Sequence, residues 1–348
     1  MKPFEELTRL GRKRRMRHMA HCALEAYGLG AARFILTRHA GNTLYRVFSP
    51  THQGLTRTNS LFEPGLFLLR IHWPGYRAES AIQLELEWLL ALRKECDLPV
   101  PEPVPTLQGD LVNQVSCPGI PEPRSCSLLR WVKGRRVGTR AVSRHYAAQG
   151  RLMAQMHNFS QSWLTPEGGR LRKYDWEGLF QKIPALCLPV YDVWSLLPQS
   201  YLGPFESVTH KVRTAMDSLG SSPNVFGMIH ADLGVDANLL FQRDQPRAID
   251  FDESGLGYWV YDLAVALEHC REQKEFDTFR HALLEAYSEL RVLPQEHVCY
   301  LDLFMAALDV HIGLWANALA YLRPERSDER RRAKRCLRLV EQYLVEAR

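Results

Sequence analysis

The chain has 348 residues, 46% of them hydrophobic and 24% charged, with a formal net charge of +5 at pH 7. At about 150 residues per domain this length suggests two domains or one bilobal unit, and the apolar content excludes long disorder. The mildly basic balance comes from two runs, Arg9 to His18 and Arg323 to Arg338, which read as solvated helix faces rather than as a nucleic-acid surface.

Residues 4 to 27 carry Leu7, Leu10, Met19 and Leu24 among charges, which predicts an amphipathic helix. "RFILTRHAGNTLYRVFS" alternates around Gly41-Asn42 and predicts two strands and a hairpin. The polar stretch 49 to 64 reads as a loop, and "GLFLLRIHW" as a third strand. In "SAIQLELEWLLALRKEC" the residues Ile82, Glu85, Leu86, Leu89 and Leu92 share one side of a predicted helix. The prolines at 99, 101, 103 and 105 hold an extended segment that leads into a strand pair. "SCSLLRWVKGR" is a short apolar strand stopped by Gly134. Beyond residue 135 the pattern is mainly helical, with Ser143 as the expected N-cap of the helix 143 to 159. The exception is residues 226 to 252, where "NLLFQ" and "RAIDF" read as strands around a turn.

Eight cysteines are scattered without a CxxC pair, so neither a zinc knuckle nor a thioredoxin motif is visible. Such thiols fit a reducing, cytoplasmic setting. The N-terminus lacks an apolar signal region and no run of 18 apolar residues occurs, so no signal peptide and no membrane span are expected.

The chemistry concentrates in "HADLGVDANLLFQRDQPRAIDFDESG", residues 230 to 255. Polar groups set between apolar strands are costly unless something neutralises them. Asp232, Asn238 and Asp250 would lie at one end of a tight hairpin, and hard cations such as Mg²⁺ take oxygen ligands of this kind together with substrate phosphates. Phosphoryl transfer also needs a carboxylate to orient or deprotonate the attacking hydroxyl.

"IHADL…NLLF…IDFDESG…YDLAVAL" resembles the aminoglycoside phosphotransferase family, which includes choline and homoserine kinases and shares the protein-kinase fold. The resemblance runs from about Asn42 to Val265. It implies an α+β, bilobal, protein-kinase-like fold: a small antiparallel-sheet lobe with one helix, and a larger, mainly helical lobe. The expected division is a helical extension at 1–28, a small nucleotide-binding lobe at 29–126, a hinge at 127–134, and a catalytic and substrate lobe at 135–348. It implies ATP and Mg²⁺ as cofactors and a small-molecule hydroxyl as acceptor. A protein Ser/Thr kinase of the stress-response type and a nucleotide-binding pseudokinase are the alternatives.

By the same resemblance Asp232 would be the catalytic base, Asn238 and Asp250 would hold Mg²⁺, and His230 would orient the loop. Asp262 would brace that loop from a helix start. In the small lobe Arg70 stands where kinases carry the phosphate-contacting lysine, with Glu85 as its ion-pair partner. Asn42 and Thr43 would lie over the phosphates, and the backbone from Leu129 to Trp131 would face the adenine. One departure stands out: the family places the asparagine five residues after the base, whereas Asn238 is six after Asp232. Asp236 is then a candidate ligand or neighbour. Asp252 suits a metal, nucleotide or turn role equally. His157, His311 and Trp315 read as structural. Residues 271 to 322 carry eight acids against four bases, a balance that would suit a cationic alcohol if those acids lined the substrate pocket.

Overall fold

The computed structural model of the chain describes residues 2–49, 61–163, 171–181, 193–322 and 327–347. It divides into two compact units. One comprises Met1–Arg135 with Arg247–Ile249, and the other holds most of the remainder. Most of the polar loop expected at 49 to 64 lies outside the described residues.

The first unit is an antiparallel sheet with a helix on each face. Helix α1 (Arg9–Glu25) starts later than its periodicity suggests. Thr8 caps it, its side chain accepting from the Gly11 N–H at 3.2 Å. Its buried face is Met16, Met19, Ala20, Ala23 and Leu24, whereas the expected Leu10 is 60% exposed. Strands β1 (Arg33–Ala40) and β2 (Asn42–Phe48) form the hairpin, with Gly41 at φ 70° in its turn. That left-handed geometry is one glycine adopts without Cβ strain.

β3 (Phe62–Ile71) pairs with β2, and the sheet continues through β6 (Arg124–Val132) to the short β4 (Pro103–Val104). β5 (Asn113–Val115) pairs with β6 beside it. Two-residue alternation splits β3 cleanly. Phe67, Leu69 and Ile71 face the α1 core together with Tyr45, Val47, Cys126 and Leu128. Arg70 points the other way, toward α2 (Glu79–Cys96). Each fully buried apolar side chain contributes roughly 1.5–3 kcal/mol, so α1 is an integral layer of this unit. Arg247 closes the unit by donating to the carbonyls of Leu61 and Lys133 at 3.0 and 3.1 Å.

The second unit is mainly helical. Helix α3 (Ser143–Ser162) has Ser143 as its first residue rather than its cap. His145 instead accepts the Val142 N–H on Nδ1 at 3.0 Å. A short strand β7 (Lys173–Tyr174), a one-turn helix α4 (Trp176–Phe180) and the long α5 (Gln199–Leu219) follow. β8 (Phe226–Ile229) leads into the polar loop. β9 (Leu239–Gln242) and β10 (Gln245–Ala248) leave it as a hairpin. β10 ends earlier than "RAIDF" suggests, because Asp250 turns left-handed at φ 62°.

β11 (Gly255–Tyr258) pairs antiparallel with β8 and parallel with β7, forming a three-stranded sheet that alternation alone does not reveal. Helices α6 (Trp259–Glu268), α7 (Phe276–Ser288), α8 (Gln295–Val298), α9 (Leu301–Leu322) and α10 (Ser327–Glu346) complete the unit. By length and composition α9 could cross a membrane. However, 72% of its apolar window is buried inside the protein, where it is the central helix of this unit.

Four of the eight acids of residues 271 to 322 pair with arginines. Asp309 pairs with Arg271, Glu272 with Arg335 and Arg338, Glu289 with Arg151, and Asp302 with Arg280. The basic runs are similarly engaged. Arg17 stacks on Phe34 and Arg332 on Trp315, while Arg335 also binds Glu268. Half of the acids behind that charge balance are therefore engaged in pairing with arginines.

Candidate active site

β8 drives a fully apolar strand end, Met228-Ile229, into the core, and the chain must then turn to expose the polar residues that follow. The turn is made at Ala231, whose φ of 62° is unusual for a residue with a Cβ. The Ala231 N–H points at the Asp262 carboxylate and donates to Oδ1 at 2.7 Å. Asp262 lies in the first turn of α6, where unpaired N–H groups and the helix dipole favour negative charge. Its other oxygen meets His157 Nε2 at 2.9 Å, and His157 Nδ1 meets the Tyr287 hydroxyl at 2.9 Å. This buried chain of α6, α3 and α7 residues holds a strained backbone in place, as strained active-site turns require.

His230 is fully buried beside Phe251, with ring centroids 4.4 Å apart, and its Nδ1 accepts the Asp232 N–H at 3.3 Å. Gln149 of α3 donates to the Leu233 carbonyl. Asp232 is thus aimed by its own backbone. Its carboxyl is raised above the ordinary aspartate value, first by burial and further by the Asp250 charge. His230, His269 and the Asn238 amide pull it back.

The longer loop is absorbed locally. The N–H groups of Ala237 and Asn238 both donate to the Gly234 carbonyl, at 3.2 and 3.1 Å, forming a tight turn between Gly234 and Asn238. Asn238 returns to Asp232 by donating Nδ2 to its carboxylate at 2.6 Å and to its backbone carbonyl at 2.9 Å. Those bonds use the amide nitrogen, so the amide oxygen is the atom of Asn238 that could meet a cation. Asp236 points elsewhere, toward His269 at 3.8 Å. Asp250, also at a left-handed φ of 62°, presents a second carboxylate close enough to repel that of Asp232. Two mutually repelling carboxylates beside an amide oxygen suit a hard divalent cation.

In the first unit Arg70 donates to Glu85 at 2.5 Å, and both are buried. Arg77 donates to the other Glu85 oxygen, a partner the sequence reading missed. The Asn42 side chain accepts the Trp73 N–H at 2.8 Å and so ties the hairpin to the segment after β3, whereas the Thr43 hydroxyl bonds His39 at 2.8 Å across the hairpin itself. Leu129 is buried in β6 opposite Leu68 and Pro103. Trp131 lies half-buried with Arg46 over its ring. The segment 127 to 132 is therefore strand, and the unit boundary follows Arg135. Also missed were Ala231, Gln149 and Tyr287. Tyr287 and Gln149 carry no sequence signal, because their partners lie far along the chain. Among the described residues, His311 bonds to none of the candidate catalytic groups. Its Nδ1 meets the Leu179 carbonyl at 2.8 Å, consistent with core packing.

A strand-rich unit with a buried Arg–Glu pair, and a helical unit with an Asp–Asn loop followed by a left-handed Asp, define a kinase-like phosphotransferase. The family model for the phosphotransferase enzyme family matches residues 47–297, most of the chain, and the protein belongs to that family. An uncharacterized protein of Deinococcus radiodurans is 25% identical over 87% of this chain and 82% of its own. Among solved structures, a microcompartment-associated aminopropanol kinase superposes with a TM-score of 0.76 at 25% identity, covering 95% of this chain and 98% of that one. An amicoumacin kinase solved with AMP-PNP and Ca²⁺ gives 0.75 at 18% identity, covering 96% of each chain. A choline/ethanolamine kinase family protein of Mesorhizobium loti gives 0.62 at 14%, covering 94% and 95%. The chain is an enzyme that transfers a phosphoryl group to a hydroxyl.

Proposed function

We propose that the phosphoryl donor is ATP with Mg²⁺, and that the acceptor is the hydroxyl of a small amino alcohol. The observation that carries the catalytic part is the Asn238 amide held on the Asp232 carboxylate at 2.6 Å across a turn one residue longer than usual. That arrangement supports Asp232 as the group that receives the hydroxyl proton while Asn238 keeps its lone pairs directed. His230 and Asp262 are positioning residues. They fix the Asp232 backbone through the 3.3 Å and 2.7 Å bonds already described. Asn238 and Asp250 would hold the cation, which when bound neutralises phosphate charge and the Asp232–Asp250 repulsion. In the first unit the Glu85-paired guanidiniums of Arg70 and Arg77 supply fixed positive charge suited to phosphate oxygens. The Leu129 to Trp131 backbone is the candidate adenine edge. The amino-alcohol class rests on the named activities of the aminopropanol kinase and the choline/ethanolamine kinase relative.

The test is ATP-dependent phosphate transfer against a panel of amino alcohols, aminoglycosides and generic protein substrates, with and without Mg²⁺. Asp232→Asn changes a carboxylate to an amide of nearly equal size. It should lower transfer by about 10²- to 10⁴-fold, or roughly 3 to 5 kcal/mol of barrier, at unchanged nucleotide affinity. Near-full activity in that variant would remove Asp232 from the role. Transfer to protein but to no small molecule would remove the acceptor class.

A further inference from the structure

The first unit carries a cluster that phosphoryl transfer does not use. His18 and Cys22 stand one turn apart on α1 and therefore on the same face. Cys117, from the turn after β5, meets them there, and one ligand atom from each of the three residues lies within 4.8 Å of the other two. The turn is held independently of the sulfurs, because Arg15 of α1 donates to the Gly119 carbonyl two residues on. Cys117 is buried, Cys22 half-buried and His18 exposed. The two thiols are therefore positioned by packing, while the imidazole is free to adjust.

We propose that His18, Cys22 and Cys117 form a binding site for a soft cation of the Zn²⁺ class, with the fourth position open to water. Zn–S of about 2.3 Å and Zn–N of about 2.0–2.1 Å place tetrahedral ligands roughly 3.5–3.8 Å apart. From 4.8 Å the ligand atoms need to close by about 1.0–1.3 Å, a shift that rotation of the exposed His18 imidazole and of the half-buried Cys22 side chain supplies. Two thiolates cancel the charge of the ion, so the basic face of α1 does not oppose binding. Bound metal would pin α1 to the turn after β5 and stabilise the layer it forms on the sheet, because the ligands converge only in the folded chain. The site stands apart from the reading of Asp232 and Asn238 and does not depend on it.

The experiment uses the untagged full chain, reduced and stripped by chelator, then titrated with Zn²⁺ alone and, separately, with Co²⁺. One equivalent of Zn²⁺ should bind and raise the melting temperature, and Co²⁺ should give thiolate charge-transfer bands. His18→Ala leaves both sulfurs in place and should weaken Zn²⁺ binding by at least about 10-fold. Cys22→Ser removes one of the two thiolates and should lower the charge-transfer bands to about half or less, with circular dichroism confirming that the variants fold. Three outcomes would overturn the site: no stoichiometric Zn²⁺ binding, binding in both variants as tight as in the parent chain, or a Cys22–Cys117 disulfide that survives treatment with reductant.

Discussion

Asp262 shows how much one buried carboxylate can decide. It is wholly inaccessible, yet it holds the Ala231 N–H and His157 at once. Removing one member of such a buried set leaves the others uncompensated, at a typical cost of 3–5 kcal/mol. Asp262→Ala is expected to lower unfolding free energy by about 3 kcal/mol in urea titration, with most of the transfer activity lost. Nucleotide affinity should change little, since Asp262 would act through the Asp232 backbone. A variant with native stability and activity would show that the left-handed turn at Ala231 needs no brace. Asp232, Asn238 and Asp250 were legible in the sequence because few residue types can serve a hydroxyl and a hard cation. Arg77 was not, because an arginine eight residues before Glu85 gives no sign of which way it folds back.

The elements depend on close backbone approach as much as on apolar stripes. A Cβ placed on Gly150 of α3 would lie 2.2 Å from the Leu283 carbonyl oxygen of α7, a backbone atom with no side-chain freedom to yield. Gly150→Ala should therefore push α3 and α7 apart, although alanine is the better helix former by about 1 kcal/mol. Overpacking of this kind costs roughly 1–3 kcal/mol or more. The expected result is a lower urea midpoint, and an unchanged midpoint would mean that the crossing is looser than it looks. Because His157, Tyr287 and Gln149 sit on the same two helices, activity should fall as well. The helices themselves were predictable from periodicity, but their closest contact was not, because it belongs to a glycine and a carbonyl.

For the whole molecule, pH sensitivity follows from groups buried in their neutral form. Burial lowers the imidazoles of His72, His157 and His311, the last to about 4. The unfolded chain binds those protons near 6.5, so this contribution to stability is complete above that pH and is lost as pH falls below it, for His311 down to about 4. For His311 alone the loss approaches about 3 kcal/mol. Asp309 works in the opposite direction. Burial lifts its carboxyl to about 7, so its penalty is absent below the unfolded value near 3.8 and grows as pH rises to 7. The lowered histidines, with His39 and His145 added to these three, outnumber the raised carboxyls of Asp309 and Asp232, which leaves a net loss on acidification. Melting temperature should drop between pH 7.5 and pH 5, and Asp309→Asn should make that drop steeper by removing a compensating group. A flat profile would refute the balance.

Sequence alone determined the two-part character, the order of most strands and helices, and the polar loop with its Asp, Asn and Asp. These are properties of local periodicity, turn chemistry and a short motif, so they survive without knowledge of distant partners. Tertiary structure decided the rest. It made α1 a layer of the first unit's core and paired four of the acids of residues 271 to 322 with arginines. It absorbed the extra loop residue in a turn on the Gly234 carbonyl and brought Cys117 to within reach of His18 and Cys22. Each of these is a contact between residues far apart in the chain or a choice of side-chain direction. Such contacts carry no local signature, because the energy that selects them comes from packing the whole unit.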